Sequence, residues 1–208
     1  MYMQEYKRVP RHIGVIPDGN RRWALEKGME KKEGYYYGID PGFQLFELCC
    51  ELGVEELTLY GFTVDNTKRP AVQKEAFQKA CVDAVMDLVN RDAELLVVGN
   101  TESPCFPEEL VPFTHRVKFG DGRIKVNFLV NYGWDWDLKH KGGLASKDIS
   151  RIDLIVRWGG RRRLSGFLPI QSVYADMYVL DELWPDFAPD HLYRALDWYQ
   201  TQDVTLGG

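Results

Sequence analysis

The stretch Ile13-Gly14-Val15-Ile16-Pro17-Asp18-Gly19-Asn20-Arg21-Arg22-Trp23-Ala24 decides how this chain is read. An apolar run of strand length stops at an aspartate, a turn dipeptide comes next, and two arginines open a helix-compatible segment. A carboxylate, a helix start and positive charge are thereby set at one strand end. In open α/β folds ligands bind outside the carboxyl ends of the strands, and helix N-termini there attract anions. An aspartate repels phosphate unless a cation lies between them, so the pattern suggests a divalent metal bridging Asp18 to a phosphorylated ligand. Asp-Gly-Asn is also a good turn or capping sequence, and that plainer role for Asp18 stands beside the first.

The surrounding chain is compatible with such a fold. Its 208 residues suffice for one domain with a substantial core, taken here as 1–208. A net charge of −5 gives no bulk attraction to nucleic acid or to an anionic membrane, so any anion site is built locally. The opening residues lack the apolar core of a signal peptide. No apolar run approaches the roughly 18 residues that span a bilayer, and a cytoplasmic protein is expected. Cys49, Cys50, Cys81 and Cys105 show no C-x-x-C spacing and read as reduced thiols.

Apolar, β-rich runs alternate with longer segments of helical period, the pattern of a mostly parallel sheet flanked by helices. The spacing predicts strands at Ile13–Ile16, Leu57–Phe62, Glu94–Val98, Ile124–Val130 and Leu154–Val156. Helical patterns fall at 43–49 and 77–88, and a last helix is expected from about Pro189 to Gln200. The 99–123 stretch is proline-rich and gives no clear element, ending in a turn. In a parallel sheet the segments after the strands emerge on one edge: Asp18-Gly19-Asn20, Thr63 to Asn66, Asn131-Tyr132-Gly133, and Arg157 to Ser165. Segment 157–165 holds four arginines, two glycines and a serine within an acidic chain. Arginine grips phosphate in bidentate fashion and glycine lets backbone approach a ligand, although an arginine run can equally be a solvated loop. Asp176 is a lone acid among small and aromatic residues, which would suit an exposed helix. His12, His115, His140 and His191 are scattered, and no catalytic triad or P-loop can be assembled.

Taken together, four blocks resemble the cis-prenyltransferases, the undecaprenyl diphosphate synthase family. They are His12 to Ala24, Leu57 to Asn66 with Arg69-Pro70, Asn131-Tyr132-Gly133, and Asp153 to Asp176 with Leu183-Trp184-Pro185-Asp186-Phe187 after it. They appear in family order over nearly the whole chain. The resemblance implies a single α/β domain with a hydrophobic tunnel whose walls are the helices at 43–49 and 77–88. It implies Mg²⁺ on Asp18, with Asp176 where the family places a metal-assisting glutamate. An allylic diphosphate would lie on Gly19, Asn20, Arg21, Arg22, Trp23, Lys31 and Tyr35, and isopentenyl diphosphate on Arg157, Arg163 and Ser165. Asn66 and Arg69 match residues near the reacting centre. A homodimer is expected by the same resemblance, without nucleic acid, and with peripheral membrane contact through the product.

The pattern is not kept throughout. Pro17 stands where methionine is common, Arg21 where glycine is, Tyr35 where the family has a histidine, and Thr67 where it has tryptophan. Arg161 replaces an acid, Gly166 an asparagine, and Asp176 is one methylene shorter than glutamate. The chain is also shortened between Gly133 and Asp153. Some short, altered family members join two allylic units head-to-middle, so that reaction is the alternative to ordinary condensation with isopentenyl diphosphate. A non-catalytic partner subunit is a second alternative, against which Asp18, Asn20, Arg22, Arg157, Arg163 and Ser165 are all present. A phosphatase using the same aspartate is a third. Product length depends on the tunnel floor, which spacing does not place.

Overall fold

The computed structural model describes residues 6–203. The strands are β1 (His12–Ile16), β2 (Glu56–Tyr60), β3 (Ala93–Val98), β4 (Val117–Lys118), β5 (Ile124–Leu129), β6 (Leu154–Arg157) and β7 (Asp176–Val179). They form one sheet in the order β4-β3-β5-β2-β1-β6-β7, parallel everywhere except between β3 and β4. The helices are α1 (Asn20–Glu26), α2 (Gly34–Tyr37), α3 (Ile39–Glu51), α4 (Ala71–Leu88), α5 (Trp134–Leu138) and α6 (Pro189–Gln200).

Alternation along the strands divides the core. Ile13, Val15, Leu57, Leu59, Val126 and Phe128 pack with Leu45 and Phe46 of α3, Val85 and Leu88 of α4, and Leu192 and Leu196 of α6. The intervening residues Ile16, Tyr60, Leu129 and Ile155 meet Ile149, Ile152, Phe167 and Leu168, which lie in irregular segments on the other face. Burial on both faces explains why these strands read as near-continuous apolar runs. The shortened 134–150 region is pinned internally. Asp137 accepts from the Tyr132 hydroxyl at 2.7 Å and from the Ser146 amide at 2.9 Å.

Two short strands, β4 and β7, have no counterpart in the sequence reading. β4 has only two residues, and all four residues of β7 are half-buried at the sheet edge, so neither offers an apolar run. Asp176 is thus the first residue of a strand and not an exposed helical acid. From β1 the chain returns beside it as β2, while β6 and β7 lie on its other flank. The loops after β1 and β6 therefore diverge, and such a switch point opens a crevice at the carboxyl edge.

Candidate active site

The segments after β1, β2 and β6 enclose a cleft of about 560 Å³ at that edge. Asp18, Gly19, Asn20, Arg21, Arg22, Lys31, Tyr35, Asn66, Arg69, Arg157, Arg163 and Ser165 all line it. Arg161 and Asp65 join them. Two expected residues lie elsewhere. Trp23 is buried with Ala24 and Leu183, and its indole N–H donates to Asp186 at 2.7 Å. Asp176 pairs in register with Leu154, which is level with Ile13. Asp18 lies five residues further on, roughly 15 Å along the strand direction. One chain therefore does not bring these two carboxylates together. Burial raises the Asp176 pKa, and the nearby Arg8 opposes the rise.

Asp18 is not used as a helix cap. The α1 N-cap is Gly19, at φ 114° and without a side-chain bond. Oδ2 of Asp18 instead accepts from Arg157 Nη2 at 2.9 Å, and Oδ1 lies 3.6 Å from Arg22 Nη2. The Arg157 side chain is only 4% exposed. A charge so buried is costly unless it is paired and hydrogen-bonded. Its Nη1 donates to the Arg163 carbonyl and to Ser165 Oγ, while among the described residues Nε has no partner, so the matching is incomplete. Arg22 donates to the Gly159 carbonyl at 2.9 Å. Gly159 sits at φ 84°, where a Cβ would come within 2.4 Å of that guanidinium, so the glycine makes the approach possible. Ser165 holds a left-handed φ of 53°, and its carbonyl is fixed by the Tyr60 hydroxyl at 2.8 Å. Such strain persists only where the surroundings over-determine it.

The remaining motifs act on the second loop. The Thr63 amide donates to Asn66 Oδ1 at 3.1 Å, which closes the turn carrying Asn66. Asn131-Tyr132-Gly133 does not line the cleft; it buttresses that turn through Val64 N–H to the Tyr132 carbonyl at 2.9 Å. Arg69 donates to the Tyr35 hydroxyl at 2.9 Å. Burial lowers the Arg69 pKa and raises that of Tyr35, the latter opposed by Arg69 and Arg21. A tyrosine kept protonated in this way is a hydrogen-bond donor and not a base.

Beneath the cleft lies an apolar pocket of about 80 Å³. Phe43 and Phe46 of α3 and Phe77, Ala80, Cys81, Ala84 and Leu88 of α4 line it, the two helices that the resemblance made tunnel walls. Tyr60 borders both spaces and was missed. Ending an apolar strand, it looks like core, and its place at the carboxyl edge is the one available signal.

Whether the donor set fits Mg²⁺ turns on Asp18. Among the described residues its Oδ1 makes no hydrogen bond, and no group of three His, Cys, Asp or Glu side chains could hold a metal. Mg²⁺ keeps several waters and is commonly held by one or two carboxylates plus substrate phosphates. The residues fit the ion provided that a diphosphate completes its shell.

A family model described as "Putative undecaprenyl diphosphate synthase" matches residues 16–143 and 140–207. The chain belongs to the undecaprenyl diphosphate synthase family. It is accordingly a prenyltransferase. It is 32% identical to the tritrans,polycis-undecaprenyl-diphosphate synthase (geranylgeranyl-diphosphate specific) of Aeropyrum pernix, covering 95% of this chain and 98% of that one. It is 29% identical to an isoprenyl transferase of Geobacillus kaustophilus, over 96% and 89% of the two chains. Its fold is shared with lavandulyl diphosphate synthase from Lavandula x intermedia, solved in complex with dimethylallyl diphosphate. That likeness has a TM-score of 0.79 at 23% identity, over 96% of this chain and 98% of the other.

Proposed function

We propose that this protein is a Mg²⁺-dependent prenyl diphosphate synthase that condenses an allylic diphosphate with isopentenyl diphosphate to a short-chain product. The observation that carries this reading is the continuity of the two spaces: a cleft walled by guanidinium groups and Asp18 opens onto an apolar pocket. A molecule with a diphosphate head and a hydrocarbon tail matches that division.

Asn20, Arg21, Arg22 and Lys31 would hold the allylic diphosphate, with its tail in the apolar pocket away from water. Arg157, Arg163 and Ser165 would hold the second diphosphate, bidentate contact fixing its orientation. Mg²⁺ on Asp18 would neutralise charge building on the departing diphosphate. The allylic C–O bond would break, the double bond of isopentenyl diphosphate would form the new C–C bond, and the proton lost from the neighbouring carbon would pass to the departing diphosphate. Asn66 and Arg69, in the wall of the cleft, would face the atoms that change. Tyr35, fixed by Arg69, offers a hydroxyl hydrogen bond to the departing group.

The family resemblance extends the reading to a homodimer. The uncovered β7 edge, flanked by the exposed side chains of Ile170, Val173 and Tyr174, supports that assembly. Four unpaired cysteines suit a reducing cytoplasm, and no helix among the described residues is long and apolar enough to cross a membrane. Contact with a membrane would come through the product.

Incubation with dimethylallyl and isopentenyl diphosphates, together and separately, tests the reading. Inorganic diphosphate and a longer prenyl diphosphate should form only with both substrates and Mg²⁺. The fold likeness to lavandulyl diphosphate synthase favours a second reading, head-to-middle joining of two allylic diphosphates. Product from dimethylallyl diphosphate alone would establish that reaction. Free alcohol would indicate a phosphatase, and no turnover at all a non-catalytic subunit.

A further inference from the structure

The loop after β6 is held by contacts outside the cleft. Trp158, between Arg157 and Gly159, is the largest fully buried side chain among the described residues. Its ring meets the ring of Trp184 edge-on, with centroids 4.8 Å apart and planes at 81°, and lies 5.9 Å from Phe187. The Trp184 amide donates to the Asp18 carbonyl at 3.0 Å. The Gly159 amide donates to the Glu182 carbonyl at 2.8 Å, while the Gly159 carbonyl holds Arg22. The Trp158 ring is thereby coupled to both turns, the one that carries Asp18 and the one that follows Arg157.

The Trp158 indole N–H is met from α6. His191 is 7% exposed, and its Nδ1 lies 3.2 Å from Trp158 Nε1 and 3.2 Å from the backbone nitrogen of Ala188, just before α6. Both partners can only donate, so Nδ1 accepts and the ring proton sits on Nε2. Burial lowers the His191 pKa; Arg194 reinforces the shift, while Glu182, Asp190 and Asp186 oppose it. The ring is kept in its neutral form. Nε2 faces Glu182 Oε1 at 3.8 Å, and Arg194 donates to that same oxygen. Capping α6 requires only the contact with Ala188. The bond to Trp158 does nothing for the helix and fixes a ring in the loop that follows Arg157.

We propose that His191 is a positioning residue for the second diphosphate: by holding the Trp158 indole it sets the position of Arg157 and of the loop carrying Arg163 and Ser165. The proposal rests on the prenyl-transfer reading and deepens it. Without the acceptor the indole N–H is stranded in the core, and the ring can find another partner only by shifting the backbone around residue 158. Arg157 serves Asp18, the Arg163 carbonyl and Ser165 Oγ from one planar fork. A small shift there misaligns several bonds at once. Asn20, Arg21 and Lys31 lie on other segments of the cleft, so an allylic diphosphate should feel the change less.

The experiment titrates isopentenyl diphosphate by calorimetry into protein saturated with dimethylallyl thiolodiphosphate, an unreactive analogue. The proteins are the wild type, His191→Leu, His191→Asn, Trp158→Phe and the double variant His191→Leu/Trp158→Phe, each checked for folding by its melting curve. His191→Leu should bind isopentenyl diphosphate about 10-fold more weakly, the order set by stranding one buried donor, and the dimethylallyl analogue within a few-fold of the wild type. His191→Asn places an amide oxygen where Nδ1 accepts, and should recover most of the affinity. Trp158→Phe keeps a ring but removes the donor; it should show a similar loss, and adding His191→Leu to it should cost little more. If His191→Leu does not fold, Trp158→Phe and His191→Asn carry the test. A lower melting temperature with unchanged isopentenyl diphosphate affinity would reduce His191 to a helix cap and overturn the proposal. So would a His191→Asn no better than His191→Leu, an unchanged Trp158→Phe, or losses that multiply in the double variant. If the wild type binds both ligands but turns over no substrate, the function reading fails, while the affinity ratios still decide the role of His191. If it binds no isopentenyl diphosphate, both fall.

Discussion

The two ends of the central sheet are both polar, and they are polar in opposite ways. Toward the amino end, His12 and Glu56, which begin β1 and β2, form a network with Thr58 and Asn127 further along β2 and β5. His12 Nε2 and Thr58 Oγ1 are 2.8 Å apart, and Asn127 Nδ2 donates to Thr58 at 2.8 Å and to Glu56 at 2.7 Å. Arg116 donates to Asn127 Oδ1 at 2.6 Å, and Arg11 pairs with Glu55 at 2.8 Å. Cations and carboxylates are matched there. At the carboxyl end Arg21, Arg22, Lys31, Arg69, Arg157, Arg161 and Arg163 share a cleft with only Asp18 and Asp65 as carboxylates. Buried polar groups that are fully matched specify structure. A surplus of one charge held beside a cavity is unfavourable for folding alone and is explained by a ligand that supplies the opposite charge. The comparison assigns structure to one end and chemistry to the other.

The sharpest way to break this division is Asp18→Asn, which keeps the shape and removes the charge. Loss of one preorganised electrostatic group costs about 10²–10³ in rate, and kcat/KM should fall by at least that much. Chelation of Mg²⁺ should reduce the wild type to a similar level. An Asp18→Asn protein with full, metal-dependent activity would move the metal elsewhere.

Arg157→Lys should have the next largest effect. A lysine keeps the charge but cannot serve Asp18, the Arg163 carbonyl and Ser165 Oγ at once from one planar fork. A loss of about 100-fold in kcat/KM is expected, mostly through KM for the second diphosphate substrate, since each factor of ten is about 1.4 kcal/mol. Steady-state kinetics with each substrate varied in turn distinguishes this from general damage.

Asn127→Leu probes the other end. It leaves Glu56 and Thr58 without donors they use in the buried state. Stranding such groups costs about 1–3 kcal/mol. Urea unfolding should show that loss, with kcat and KM unchanged because Asn127 lies within β5 and does not line the cleft. A change in KM comparable to that of Arg157→Lys would erase the distinction between the ends.

How far the chain itself disclosed this division differs between the ends. The carboxyl end was largely legible, because an apolar strand that stops at Asp18 or at Arg157 marks the loop beyond it as polar and charged. The amino end was not. His12, Thr58 and Asn127 look like single polar residues inside or beside apolar runs, and only the parallel register sets them side by side. Trp23 shares the first motif yet faces away from the cleft, since helical period turns it toward Leu183 while Arg22 points to Gly159. Asp176 was misplaced for a similar reason: β7 is too short and too exposed to announce itself, and without it nothing fixes how far Asp176 lies from Asp18. The rings of Tyr35 and Phe77 stack 4.5 Å apart from two helices that sequence spacing cannot bring together.

The smallest expected effect is a pH dependence belonging to the amino end alone. Burial pushes the His12 pKa down, and attraction to Glu56 only partly offsets it. The unfolded chain then takes up a proton at a higher pH than the folded one does. Stability contributed by the neutral imidazole is therefore complete above its ordinary value of about 6.5 and is lost as pH falls below that value, levelling off under the folded pKa. A single group cannot contribute more than about 1.4 kcal/mol per pH unit, so urea midpoints at pH 7.5 and 5.5 should differ modestly. Glu56 titrates lower: burial raises its pKa, but His12, Ser150, Asn127 and Arg116 together hold it below the usual carboxylate range. Its contribution is lost only as pH falls below about 4.5, outside the interval from pH 7.5 to 5.5. His12→Asn should flatten the change between pH 7.5 and 5.5 and leave the more acidic loss in place. If the variant kept the full slope in that interval, the titrating group would lie outside this network, and the amino end would not be the closed structural element that its hydrogen bonds describe.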